Sequence, residues 1–244
     1  LYVDKSKRNK NTKQFIFPQK CPSCGSMVVK EINNNAKKKD AVTRCPDPNF
    51  SCKDILREKL KHFVSKDAFN IEWLGKKVVD NFWNKKLVKY SYDIFNLDIN
   101  ILKKFDGWGE KSITNLKNSI NKSKKISLER FIFSLGIRHI GQENAKILAK
   151  HFLNVQKFFA TSKKLNKDNQ RHLDELQSID GIGNSQTESL IKFFSNDKNL
   201  KIVSKLNGLL NVEDYKRLSE KTPISGKSIM FTGGFENRSR SELK

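Results

Sequence analysis

Between about residues 53 and 218 the chain alternates short runs of apolar residues with single glycines. In the stretch SLERFIFSLGI, apolar side chains recur at positions i, i+3, i+4 and i+7, namely Leu128, Phe131, Ile132 and Leu135. This spacing places all four side chains on one face of a helix. The region is therefore predicted to be mainly α-helical.

The helical region contains an internal repeat of four units. Each unit reads apolar, any, any, apolar, glycine, and is followed by a helical pattern: IEWLG at 71–75, FDGWG at 105–109, IRHIG at 137–141 and IDGIG at 179–183. Repetition at such intervals indicates one supersecondary unit used several times. The longest interval, between the third and fourth units, contains the polar segment TSKKLNKDNQ (161–170), which we interpret as an insert.

Both ends of the chain carry patterns typical of strands. Phe15, Ile16 and Phe17 predict the end of a strand, and the run 229–231 before Gly-Gly predicts the start of another. The segment SEKTPISG (219–226) is typical of a linker. We divide the chain accordingly into 1–18, 19–55, 56–218 and 219–244.

The charge of the chain favours a polyanionic partner. Lysine and arginine number 48 against 26 acidic residues, which gives a formal net charge of +22 and a pI of about 9.8. Such an excess is typical of nucleic-acid-binding proteins. The codon bias of an AT-rich genome, which also raises the lysine and asparagine content, stays open as a contributor. The chain shows neither a long apolar run nor a signal-like N-terminus, so we expect a cytoplasmic protein with no membrane segment.

The four cysteines predict a metal site. Two residues separate the members of the first pair, six separate those of the second, and twenty lie between the pairs: Cys21, Cys24, Cys45 and Cys52. Paired cysteines at turns are the usual way to present four thiolates to Zn²⁺. Four thiolates leave no open coordination position, so the site is predicted to be structural.

Two details refine this prediction. Gly25 follows the first pair directly and frees the backbone to turn there. His62 lies ten residues after Cys52 and is predicted to be a packing residue, not a ligand. Disulfides or free thiols are the alternative, disfavoured because no secretory signal is visible.

The repeated glycine units are typical of helix-hairpin-helix motifs. A glycine in such a turn admits backbone angles that other residues disfavour, and it removes the side chain that would keep a phosphate away. The helix that follows then presents its free N-terminal amides to the phosphate oxygens. The second and fourth units carry both glycines, and the residues predicted to contact DNA are Gly107, Gly109, Lys111, Gly181, Gly183 and Ser185. In the other two units Trp73 and His139 replace the leading glycine, and binding and purely structural roles both stay open.

Two enzymatic interpretations compete with this one. Lys104-Phe105-Asp106-Gly107 fits the Lys-x-Asp-Gly pattern of nucleotidyltransferases, whose lysine is a nucleophile. The repeat argues against it, because the glycines recur in other units whereas Lys104 aligns with unrelated residues. Gly226-Lys227-Ser228 resembles the end of a P-loop, but Lys221 stands where the first glycine is needed.

In this order, the features resemble the bacterial NAD-dependent DNA ligases. FIFPQKCPSCGS is similar to the junction of the OB domain and the zinc finger. LREKLKHFVSKDAFNIEWLGKKVVD resembles the helix after the finger and the first hairpin, and RFIFSLGIRHIGQENAKILAKHF resembles the third hairpin. ISGKSIMFTGGFENRSRSEL is similar to the start of a BRCT domain, so the resemblance covers essentially the whole chain. Trp73, where the family usually has glycine, and the wide second cysteine pair depart from the pattern.

The resemblance implies a mainly α fold: the end of an OB domain (1–18), a four-cysteine zinc finger (19–55), four hairpins (56–218), and a linker with the first strand of an α/β BRCT domain (219–244). It implies an enzyme that seals nicks in double-stranded DNA during replication and repair, with NAD and Mg²⁺ bound outside this chain. This part would contribute no catalytic residue, would be inactive alone and would grip DNA as a monomer. A helix-hairpin-helix module of another repair protein, such as an excision nuclease subunit, is the alternative.

Overall fold

The computed structural model describes residues 4–9, 11–13, 16–30, 32–33, 38–47, 52–164 and 170–216. This part of the chain is mainly helical. Its α-helices are α1 (Lys53–Val64), α2 (Lys76–Asn84), α3 (Glu110–Ser123), α4 (Leu128–Ser134), α5 (Gln142–Phe152), α6 (Val155–Lys164), α7 (Gln170–Gln177), α8 (Asn184–Phe194) and α9 (Asp197–Leu209). Short 3-10 helices occupy Lys5–Lys7, Ser91–Asn96 and Ile99–Lys104.

One apolar core runs through the helical region. Each helix that follows a hairpin turn contributes buried side chains at helical spacing, for example Ile113, Leu116 and Ile120 of α3. These side chains join those of the other helices in a single cluster that extends from Leu60 to Leu206. The predicted repeat is thus a set of hairpins that share one core.

A pair of parallel strands closes the helical region, and the sequence pattern did not predict it. Strand β3 (Lys125–Ser127) pairs with β4 (Asn211–Glu213), with Ile126 opposite Val212. The strands have three residues each, too short for a period of two to be visible. Their pairing brings the end of α3 beside the end of α9.

The cysteine region holds short antiparallel pairings. Strand β1 (Ile32–Asn33) pairs with β2 (Lys38–Lys39), and isolated bridges join Lys20 to Met27 and Val29 to Arg44. These pairings set a compact, turn-rich unit before α1.

The segment 161–170 differs from its predicted role as a polar insert. Helix α6 continues to Lys164 and α7 starts at Gln170, while 165–169 lie outside the described residues. Phe158, Ser162 and Leu176 are buried. The long interval between the third and fourth units therefore contains two helices that both pack against α8, because the apolar residues on either side of the polar run continue the helical pattern.

The strand predicted at 15–17 is not present in the described residues. Ile16 and Phe17 lie outside any strand and are 81% and 74% exposed, and Phe15 lies outside the described residues. The predicted linker at 219–226 and strand at 229–231 also lie outside them. Among the described helices, none is long and apolar enough to cross a membrane.

Candidate functional site

The four cysteine sulfurs lie together, as the spacing predicts. All four Sγ atoms are within 4.8 Å of one another, with Cys21 3.9 Å from Cys52 and Cys24 3.4 Å from Cys45. Four sulfurs at about 2.3 Å from a Zn²⁺ ion would be separated by about 3.8 Å in a tetrahedron. The distances are too long for disulfides, so the cluster fits a four-thiolate metal site.

Each cysteine pair is held by backbone hydrogen bonds. At the first pair, the Gly25 amide donates to the Cys21 carbonyl over 2.8 Å, and Gly25 has a φ of 75°, the left-handed region for which glycine is suited. At the second pair, the Cys52 amide donates to Asp47 Oδ1 over 2.8 Å. Asp47 itself has a φ of 41°. Sequence reasoning missed Asp47, which turns the chain and ties it to Cys52 across the wider spacing.

The surroundings shift the pKa values of two of the thiols in opposite directions. The side chain and backbone amide of Ser26 lower the pKa of the Cys24 thiol to about 6. Burial, with a smaller effect of the neighbouring thiols, raises the pKa of Cys45 to about 12. Before a metal binds, one sulfur is thus predisposed to be a thiolate and another holds its proton.

Helix α1 connects the cysteine cluster to the helical core. Cys52 is the N-cap of α1, and its carbonyl accepts a hydrogen bond from the Leu56 amide. His62, farther along α1, is half-buried, with Nε2 2.9 Å from the Phe133 carbonyl oxygen and its ring edge-on to Phe133. His62 therefore lies in the packing between α1 and α4, away from the sulfurs, which is the role expected of it.

All four hairpin turns share one geometry. In each, the amide of the fourth residue donates to the carbonyl of the first, over 3.2 Å from Leu74 to Ile71 and 2.9 Å from Ile182 to Ile179. The third residue is left-handed every time, with φ of 67° at Trp73, 84° at Gly107, 59° at His139 and 87° at Gly181. It is therefore the third residue of each turn, the leading position, that requires left-handed backbone angles.

The closing glycines, in contrast, do not need special backbone angles. Gly75, Gly109, Gly141 and Gly183 have φ between −71° and −99° with extended ψ, which any residue can adopt. Each is the N-cap of the next helix, and its carbonyl accepts the first helical hydrogen bond.

A side chain would also fit at these positions. No atom lies within 4 Å of a Cβ built at Gly75, Gly109 or Gly141, and at Gly183 the nearest is Gln186 Oε1 at 3.4 Å. Neither the backbone angles nor the packing inside the protein therefore requires glycine at these positions. The absent side chain does leave the helix N-terminus open to close approach from outside.

The remaining predicted contact residues lie beside these helix starts. Gly107 and Gly109 are exposed, and exposed Lys111 is the second residue of α3. Gly181 and Gly183 are exposed, and half-buried Ser185 is the second residue of α8. A Cβ at Gly181 would lie 2.6 Å from Ile147 Cδ1, so that glycine also lets the fourth turn pack against α5.

A polar chain that the sequence did not reveal joins the cysteine region to the last two hairpins. Arg138 Nη2 lies 3.3 Å from Asp40 Oδ2, and Arg138 Nε donates to His139 Nε2 over 3.3 Å. On the other side of the ring, His139 Nδ1 lies 3.1 Å from Ser189 Oγ on α8. His139 thus holds the third turn against the fourth hairpin.

Lys104 lies in a different setting from a nucleophilic lysine. It is exposed at the end of the 3-10 helix Ile99–Lys104, directly before the second turn. A lysine nucleophile requires a pocket that lowers its pKa or places it against a phosphorus. The described surroundings of Lys104 are those of an ordinary solvated charge.

Fold and cluster together define a tandem helix-hairpin-helix protein with a four-thiol site. The helix-hairpin-helix motif family matches residues 130–203, which contain the third and fourth hairpins.

Curated relatives match almost the entire chain. The DNA ligase of Pelagibacter ubique is 48% identical over 242 residues, and those of Wolbachia pipientis and Rickettsia bellii are 42% and 39% identical over 246 and 248 residues. Each match covers 99% of this chain but only 35–36% of the relative, so the chain spans about a third of their length. The chain is related to the bacterial DNA ligases and corresponds to their C-terminal part.

Proposed function

We propose that this chain is the DNA-gripping part of an NAD-dependent DNA ligase, holding nicked duplex DNA independently of its sequence. The observation that carries the proposal is the closing glycine, repeated in four turns without an internal need for it. An open N-cap at the positive end of a helix is suited to a phosphate oxygen. Contacts with phosphates position DNA without reading its bases.

Within this proposal the second and fourth hairpins make the closest phosphate contacts. In both, the leading residue is glycine as well, so no side chain projects from either turn position. Gly107, Gly109 and Lys111 serve one site, and Gly181, Gly183 and Ser185 serve the other. The net charge of +22 adds a non-specific attraction to the duplex.

The four cysteines would hold one Zn²⁺ with a structural role. The ion would fix the cysteine region to the start of α1, because Cys52 belongs both to the cluster and to the helix. Metal binding at such a site supplies folding free energy. In the divisions we propose, residues 19–55 form this finger and residues 56–218 the hairpin domain.

Sealing of the strand is assigned to the whole protein. There NAD and Mg²⁺ would act in an adenylation domain outside this chain, during replication and repair in the cytoplasm. This chain would act as a monomer that keeps the duplex around the nick in place. The length relation to the ligases supports that division, because about two thirds of each relative lie outside the match.

Binding of a fluorescent nicked duplex tests the proposal. With roughly 4–8 phosphates neutralised, the logarithm of the binding constant should fall with the logarithm of salt concentration with a slope of roughly −4 to −7. Gly109→Val with Gly183→Val should weaken binding and make that slope less steep by about one per hairpin. The side chains would obstruct the phosphates while leaving the extended backbone allowed.

Gly208→Val provides the matched control. Gly208 lies in α9, away from the turns, and a Cβ there meets no atom within 4 Å. Circular dichroism should show all variants folded. If the folded double variant binds as tightly as the control, the hairpins are not the interface.

A further inference from the structure

Trp73 stands apart from the other tryptophans. Trp83 and Trp108 are packed against the core, whereas Trp73 is 56% exposed at the first hairpin turn. Its φ of 67° is left-handed, a conformation that is unfavourable for a bulky residue. Strained residues of this kind persist where the surroundings or the function require them.

The indole borders a polar groove. The groove has a volume of about 420 Å³ and lies between the first turn, one face of α3 and the paired strands β3 and β4. From α3 it is lined by Asn115, Asn118, Ser119 and Lys122, which share one helix face. Its size is within the range of small-ligand sites.

One wall of the groove is fixed in place. Arg130 of α4 also lines it, and its guanidinium donates to the carbonyls of Ala68 and Lys66 over 2.8 and 2.6 Å. These bonds anchor the segment that leads into the first turn. The hydrogen bonds of Arg130 therefore also help to hold Trp73 in place at the edge of the groove.

Several polar groups around the groove have no partner among the described residues. The side-chain amides of Asn115 and Asn118 and the Trp73 indole make no hydrogen bond there. Ser127 also lines the groove, but its hydroxyl oxygen is fully buried and has no hydrogen-bond partner among the described residues. The accessible polar groups that remain for a ligand are therefore the two amides and the indole.

The charges around the groove nearly balance, so they do not single out a charged ligand. The groove lies along the C-terminal half of α3, the negative end of the helix dipole. Glu72 and Glu213 line it together with Lys122, Lys125 and Arg130. Lys125 pairs with Glu213 over 3.1 Å, and the Arg130 guanidinium already donates to two backbone carbonyls. An aromatic face beside free amides is instead the combination that recognises an unstacked base.

We propose that this groove receives a single unstacked nucleobase of the bound DNA, with Trp73 as its stacking surface and Asn115 and Asn118 at its edge. The inference rests on the DNA binding proposed above. It gives the first hairpin a base contact in addition to the phosphate contact proposed for its closing glycine, and it accounts for a tryptophan at a position where the second and fourth turns have glycine.

Two duplexes of the same sequence test this inference, one fully paired and one with a single unpaired 2-aminopurine. The wild-type chain should bind the second about fivefold more tightly and quench its fluorescence, since a base stacked on an aromatic side chain gains affinity. Trp73→Gly should abolish both effects and leave affinity for the paired duplex within twofold. Glycine suits the left-handed backbone there, so this variant should fold.

Asn115→Ala and Asn121→Ala form the matched pair on α3. Asn115 lines the groove, whereas Asn121 lies on another face of the helix, so only the first should reduce the preference. Equal wild-type affinity for both duplexes, or a preference that survives Trp73→Gly, overturns the inference and leaves duplex binding standing. Loss of all duplex binding by the wild-type chain would instead overturn the proposed function and this inference with it.

Discussion

At the scale of single residues, the two glycines of a hairpin turn have different physical reasons. The leading glycine relieves a left-handed backbone, and the closing glycine leaves a helix start uncovered. Substitution should therefore affect stability at one position and binding at the other. His139 shows that the leading position also accepts another residue when its side chain gains contacts, here with Ser189.

We predict that Gly181→Ala destabilises the chain, by about 1–3 kcal/mol, because it adds left-handed strain and a methyl group 2.6 Å from Ile147 Cδ1. Gly109→Ala should change the free energy of unfolding by less than about 1 kcal/mol, since its backbone is extended and its surroundings are open. Urea unfolding of the two variants measures the difference. Equal losses would contradict the separation of roles.

The sequence predicted the residues whose chemistry is visible in their spacing. The cysteines come together because two pairs at turns have few other arrangements. Asp47 and Arg138 were missed, because an aspartate that caps a turn and an arginine that reaches a distant Asp40 leave no local pattern. Trp73 was identified only as a departure, since its exposure and the groove beside it depend on tertiary packing.

At the scale of elements, the finger and α1 form one unit through Cys52. We predict one Zn²⁺ per chain, bound with release of protons at pH 7. Cys45, with a pKa of about 12, must lose its proton, whereas Cys24, with a pKa of about 6, is already mostly a thiolate. Apparent affinity should therefore rise with pH, and should fall more steeply below about pH 6, where Cys24 also holds a proton.

Calorimetric titration in two buffers of different ionisation enthalpy measures this proton release, and elemental analysis gives the stoichiometry. Cys45→Ser should abolish tight binding, because one of the four sulfurs is lost. Binding with no proton release at pH 7, or protein purified without stoichiometric metal, would count against a thiolate site.

The hairpin helices could be predicted as elements because each starts directly after its closing glycine and keeps its apolar residues at helical spacing. The strands β3 and β4 could not. Their pairing joins Ile126 to Val212, far apart in the sequence, and three residues are too few to show alternation. The 3-10 helices before the second turn likewise follow from tertiary packing, with Ile94 and Leu102 buried against the core.

At the scale of the whole molecule, we predict that the chain forms no covalent lysine–AMP adduct by itself. Incubation with labelled NAD and Mg²⁺, followed by a denaturing gel, should give no labelled band. Lys104 is exposed beside a turn whose geometry recurs three more times without that lysine. A band that disappears in Lys104→Ala would show instead that this motif is catalytic.

The pairing of strands β3 and β4 determines how the molecule would respond to a pulling force. The chain enters β3 at Lys125 and leaves β4 after Glu213, and both strands run in the same direction. A pulling force between a point before residue 124 and a point after residue 213 would therefore act in shear on the hydrogen bonds between the two strands and on the Lys125–Glu213 ion pair. The segment from 128 to 210, which contains the third and fourth hairpins, is bridged by this strand pair and by the 2.7 Å hydrogen bond from the Tyr215 amide to the Leu153 carbonyl, so it would be extended only after these bonds break.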